Sequence, residues 1–170
     1  MPKPLATAYL DAKIFSFLHY SEGHVESLAH HLKTREWWEK ERGFFRLYSS
    51  RWTVDELAEG QYRAQEQAVA TAKRLPFLPK TTAVDRCAML YLERGVVPVA
   101  KFSDAVQLAL ATVHEVDYLL TWNYAHLANP QTQHRLETLH RELGWRSPWL
   151  VSPDTIQWET LGGDVRRRET

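Results

Sequence analysis

The chain has 170 residues, enough for one domain with a sizeable core. Its 21 basic and 21 acidic residues balance, so no global positive field advertises nucleic acid, and any such partner must be met by a local patch. A single cysteine, Cys87, excludes an intramolecular disulfide and suits a reducing cytosol; with no signal peptide and no apolar run long enough to span a bilayer, the expectation is a cytoplasmic protein without membrane contact.

Residues 6–10 read as a short buried strand that ends at Asp11, a charge directly after an apolar run. The bland reading of Asp11 is an N-cap on the helix that begins with Ala12 and Lys13. Glu22 to Arg42 reads as a long helix, with Val25, Leu28, Ala29 and Leu32 on one apolar face. Trp37 and Trp38 flank that stripe, either as core residues or as a homodimer or partner surface. No two histidines are spaced for a helical zinc site.

Residues 44–48 read as a second strand. A short helix over 54–60 follows, carrying Asp55 and Glu56 and stopped by Gly60. For these two acids the bland reading is complementation of the helix dipole. Further helices are expected over 61–74 and 81–93. Val96 to Ala100 reads as an edge strand or an extended connection, interrupted by Pro98. Ser103 is placed to N-cap a deeply packed helix, with Asp104 in its first turn. Residues 117–121 make a fourth strand, followed by Asn123. A polar helix over 132–143 and a last strand over 149–151 complete the pattern. The charged tail, 162–170, reads as flexible beyond a single domain over 1–161.

Strands alternating with helices predict an α/β fold with a largely parallel central sheet of about five strands, flanked by helices. Asp11, Glu56, Asp104 and Asn123 then lie beyond the carboxyl ends of the strands, where open α/β sheets place their ligands. Asp117 starts its strand and falls roughly 20 Å away, so it is excluded from the site. Clustered carboxylates repel unless a cation neutralises them, and all-oxygen ligands favour Mg²⁺ or Mn²⁺ over zinc. The fitting chemistry is metal-assisted hydrolysis of a phosphodiester. Asp11 and Asp104 bind metal in that reading. Glu56 binds it through water or orients the nucleophile, and Asn123 positions a water.

Ordered along the chain, these residues resemble a known family. The carriers are Tyr9-Leu10-Asp11, Arg35-Glu36-Trp37-Trp38, Ser49 with Asp55-Glu56-Leu57 and Gly60, Ser103-Asp104-Ala105 with Leu108-Ala109-Leu110-Ala111, and Val116 to Asn123. His126, Asn129-Pro130 and Ser152-Pro153 extend the likeness, which runs from about Ala8 to Pro153. The chain resembles PIN-domain proteins, the group that includes the VapC-type toxins of bacterial toxin–antitoxin pairs. The resemblance implies a PIN-like fold, a Mg²⁺- or Mn²⁺-dependent endoribonuclease acting on RNA, frequent homodimers and often a small antitoxin partner. It places Asp11, Glu56 and Asp104 at the family's acidic, metal-binding positions and Asn123 where many relatives carry a fourth acid.

One departure is marked. Where relatives have Thr or Ser and then a small polar residue after the first Asp, this chain has Ala12 and Lys13. Lys13 either binds the scissile phosphate, takes a cation's place among the acids, or points to solvent. Gln107 stands where similar proteins often carry His. The alternative reading is a non-catalytic PIN-like module that binds RNA or a protein, with Lys13 replacing metal charge.

Overall fold

The structure is a computed structural model and describes residues 5–21 and 23–156. The expected tail and Glu22 lie outside the described residues. The elements run β1 (Ala6–Leu10), α1 (Ala12–Leu18), α2 (Val25–Lys40), β2 (Phe45–Tyr48), α3 (Arg51–Ala58), α4 (Gln65–Lys73), α5 (Thr82–Glu93), α6 (Phe102–Val113), β3 (Tyr118–Leu120), α7 (Pro130–Leu143) and β4 (Trp149–Val151). A single 3₁₀ turn, Arg42–Phe44, joins α2 to β2.

The strands form one all-parallel sheet in the order β2-β1-β3-β4. Strand pleating sorts their side chains onto two cores. Ala6, Ala8, Leu10, Tyr118 and Leu120 pack with α1, Trp37 of α2, Val54 and Leu57 of α3, and Ala68 and Ala72 of α4. Tyr9, Leu119 and Leu150 pack on the other face with α5, α6 and α7. Apolar residues on both faces are what a parallel sheet between helices requires.

The chain leaves β1 towards β2 on one side and returns to β3 on the other. That reversal puts a crevice at the carboxyl ends of β1 and β3, the place where such sheets bind ligands.

Among the described residues the sheet has four strands, not five. Residues 96–100 form no strand. Val96 and Val97 are buried, but the backbone there closes α5: Gly95 takes φ +67°, and the Val96 N–H donates back to the Tyr91 carbonyl at 2.9 Å. Pro98 then accepts from the Lys101 N–H in a turn leading into α6.

The expected buried face of α2 is also corrected. Val25 is 84 % exposed, and Leu28 and Leu32 are exposed as well, whereas Thr34 and Trp37 are buried. The inner face is selected by the neighbours of the helix. The Trp122 indole N–H donates to the Thr34 hydroxyl at 2.8 Å, and Trp37 packs on Phe45. Trp37 is therefore core, while half-buried Trp38 carries the Arg42 guanidinium over its ring. Among the described residues no helix is long and apolar enough to cross a membrane.

Candidate active site

Asp11 emerges from β1 and N-caps α1, its Oδ1 accepting the Lys13 backbone N–H at 2.9 Å. The bland reading of Asp11 thus holds for one oxygen. The other oxygen accepts a hydrogen bond from the Thr121 hydroxyl at the end of β3. Thr121 is fully buried, so its hydroxyl holds this oxygen of Asp11 from within the core. It was not recognisable in the sequence. A threonine ending a strand reads as ordinary β-former until the strand order places it beside Asp11.

Glu56 comes from the middle of α3. That helix starts at Arg51, earlier than expected, because Ser50 caps it through the Thr53 N–H at 3.0 Å. Asp55 faces outward and pairs with Arg51 at 2.9 Å. Glu56 turns inward. Its Oε1 accepts from the Ser103 hydroxyl, and its Oε2 accepts from the Gln107 amide at 3.3 Å.

Ser103 is therefore not the cap of α6. Lys101 stands at that position without a side-chain cap bond, and Ser103, in the first turn, spends its hydroxyl on Glu56 while accepting the Trp52 indole N–H at 3.0 Å.

Gln107 follows Ser103 by one helical turn and is buried. Its amide oxygen accepts from the Tyr9 hydroxyl, which leaves the NH₂ group aimed at Glu56. Tyr9 is itself held by Ser50 at 2.7 Å and Thr53 at 3.0 Å. Burial pushes its phenol far up, so it stays a donor. A chain of hydrogen bonds thus runs from the core through Gln107 to Glu56. The sequence signal for Gln107 was its polarity on an otherwise apolar helix.

Asp104 sits in the first turn of α6. Asn123 lies just past β3, where its side-chain oxygen accepts the His126 N–H at 3.0 Å and shapes the following turn. All five residues singled out in the sequence (Asp11, Lys13, Glu56, Asp104 and Asn123) line one cavity of about 460 Å³, together with Gln107 and His126. Asp117 lies at the other end of the sheet, bonded to Thr7 and Arg146.

The electrostatics are unfavourable to bare acids. Burial lifts Asp11 to about 6; the Thr121 and Lys13 bonds and the Lys13 charge oppose this, and the Asp104 charge adds to it. Burial, then the charge of Asp11, lift Glu56 to about 7, with Asp104 adding to the rise and Gln107 opposing it. Asp11 is only 7 % exposed. Lys13 is exposed and forms no ion pair with these acids among the described residues.

Oxygen donors gathered in a crevice, here with Lys13 and Lys101 also on its wall, suit a hard divalent cation better than zinc. Among the described residues no three His, Cys, Asp or Glu side chains converge as a ready-made metal cluster. Mg²⁺ does not require one, because it binds through one or two carboxylates and keeps several waters. No model of a known protein family matches the chain, and no curated protein matches it with significant similarity.

Proposed function

We propose that this chain is a PIN-like, metal-dependent endoribonuclease that hydrolyses RNA phosphodiester bonds. The observation that supports it most is the meeting of Asp11, Glu56 and Asp104 in one crevice, where burial raises Asp11 to about 6 and Glu56 to about 7. Asp11 and Asp104 would hold Mg²⁺ or Mn²⁺, with Glu56 a ligand directly or through water. When bound, the cation supplies an activated water and stabilises charge on the departing oxygen.

The other roles fall to the chain itself. Thr121 and the capped N–H of Lys13 fix the Asp11 carboxylate in one rotamer. Ser103 and Gln107 fix both oxygens of Glu56, so its position does not depend on solvent. Lys13 lines the cavity with no carboxylate partner among the described residues and would hold the scissile phosphate. Asn123, also on the cavity lining, would position a water.

The alternative, a non-catalytic module in which Lys13 stands in for metal charge, is less well supported. Among the described residues Lys13 forms no ion pair with these carboxylates, as a lysine standing in for a metal would. The toxin role, the antitoxin partner and the homodimer rest on the sequence resemblance alone.

The test is cleavage of a mixed-sequence RNA by purified protein with Mn²⁺, with Mg²⁺ and with EDTA. Cleavage that needs metal and disappears in Asp104→Asn supports the reading. Wild-type protein that binds RNA but never cleaves it, with Lys13→Ser gaining cleavage, would establish the lysine-replacement module instead.

A further inference from the structure

A second hollow of about 390 Å³ shares Ala12, Lys13 and Glu56 with the acidic cavity. It lies between α1 and the connection from α3 to α4. Its walls are unlike those of the first. Phe17, Tyr20, Leu57 and Tyr62 make it largely apolar and aromatic, and Lys13 and Arg63 stand among them. Neither cation has a carboxylate partner among the described residues.

The aromatic wall is held in place. The Phe17 ring packs edge-on against His30 at 5.0 Å and Trp122 at 6.4 Å, and Tyr20 lies 6.3 Å from Phe17. Tyr62 donates through its hydroxyl to the Leu57 carbonyl at 3.1 Å. Gln65 donates to the same carbonyl at 2.9 Å and to that of Gly60 at 3.1 Å. These bonds pin the loop while leaving Tyr62 37 % exposed. Ala64, also on the wall, takes a left-handed backbone at φ +42°, uncommon for a residue other than glycine.

Rigid aromatic faces beside unpaired cations are the two components of single-stranded nucleic-acid binding: bases stack on rings and phosphates meet ammonium or guanidinium groups. The volume falls in the range of ordinary ligand sites. An apolar peptide would also fill the aromatic part. It would leave Lys13 and Arg63 unanswered.

We propose that this cleft is a nucleobase subsite that takes one unstacked base of single-stranded RNA, with Lys13 and Arg63 on the flanking phosphates. The proposal rests on the nuclease reading for the choice of RNA as the nucleic acid.

The test is fluorescence anisotropy with a labelled short oligoadenylate in EDTA, so that binding is read without cleavage. Wild type is compared with Tyr62→Leu, Arg63→Gln and Lys13→Ser, and with an abasic oligonucleotide of the same length. Thermal unfolding checks that each variant folds. The expected result is a loss of about tenfold for oligoadenylate in Tyr62→Leu, with abasic affinity unchanged. Arg63→Gln and Lys13→Ser should weaken both probes and reduce the salt slope by about one each.

If Tyr62→Leu binds oligoadenylate as wild type does, the base subsite is wrong, whatever the cations do. If none of the three substitutions changes affinity, the cleft belongs to a protein segment and the proposal fails. The same preparations supplied with Mn²⁺ separate the two readings. Cleavage by wild type with unaltered Tyr62→Leu affinity removes the subsite and keeps the nuclease. Tyr62-dependent binding without cleavage keeps the subsite and removes the nuclease.

Discussion

Asp11 and Asp117 stand at opposite ends of neighbouring parallel strands, and their surroundings differ in kind. At the amino end, Asp117 accepts from the Thr7 N–H at 2.8 Å and the Thr7 hydroxyl at 3.0 Å, and it pairs with the Arg146 guanidinium. Its carboxylate is fully answered from within the chain and ties the start of β1 to β3 and to the approach to β4. At the carboxyl end, Asp11 shares a cavity with Glu56 and Asp104, and Thr121, Ser103 and Gln107 hydrogen-bond the first two without neutralising them. One end of the sheet uses acid to hold the fold together. The other gathers three acids in one cavity.

Substitution separates the two ends most sharply in activity. Asp104→Asn should lower RNA cleavage with Mn²⁺ on the order of a thousandfold, since it removes a ligand at the reacting centre. Asp117→Asn should leave cleavage unchanged and instead cost about 1–3 kcal/mol in urea unfolding, the penalty of breaking a part-buried bonded charge. Equal losses of activity in both variants would erase the distinction.

The pH dependence of stability has a sign that follows from the acids. Asp11 rises from an ordinary 3.8 to about 6 in the folded, metal-free protein, so folding favours its protonated form. Its contribution is fully present below pH about 4 and is lost as pH rises through about 6, a difference of about 3 kcal/mol. Glu56, raised to about 7, acts in the same direction. Metal-free protein should therefore lose stability in urea between pH about 4 and about 7, and a combined Asp11→Asn and Glu56→Gln variant should lose much less of it. Adding Mn²⁺ should restore the loss in wild type alone.

The groups that hold the acids should matter less than the acids. Gln107→Leu and Thr121→Val should each lower cleavage or Mn²⁺ affinity by about 10–100-fold, the usual effect of removing a partner of a metal-binding carboxylate. Gln107→Leu also leaves the Tyr9 hydroxyl without its acceptor in the core, so its stability is measured alongside.

An effect that leaves cleavage untouched lies near the amino end of the sheet. His140 bonds to Tyr91 at 2.8 Å and to Ser147, just ahead of β4, at 2.8 Å. Burial lowers it from 6.5 to about 4. Its contribution is present above pH about 6.5 and is lost as pH falls through about 4, opposite in sign to that of Asp11. An NMR titration of the imidazole should show it neutral at pH 6.

The acids of the site were legible because each breaks a local pattern. Asp11 follows an apolar strand, and Asp104 opens an apolar helix. The residues that steady them were not legible, because Thr121, Ser103 and Gln107 are uncharged groups whose partners come from other elements. The strand periods gave four strands correctly. Val96 and Val97 misled because apolar burial does not by itself supply a ladder partner, and the end of α5 takes the Val96 N–H instead. The apolar stripe of α2 misled for a related reason. Periodicity shows that a helix has two faces, but Thr34 and Trp37 met Trp122 and Phe45 and so decided which face is buried.

The central claim is that the carboxyl end of the sheet lacks a cation which Lys13 does not replace. Calorimetric titration of Mn²⁺ into metal-free wild type, Lys13→Ser and Asp104→Asn tests it most directly. The account predicts saturable binding in wild type and in Lys13→Ser, abolished in Asp104→Asn. Binding absent from wild type and present in Lys13→Ser would contradict it, because lysine would then be the cation the site was built around.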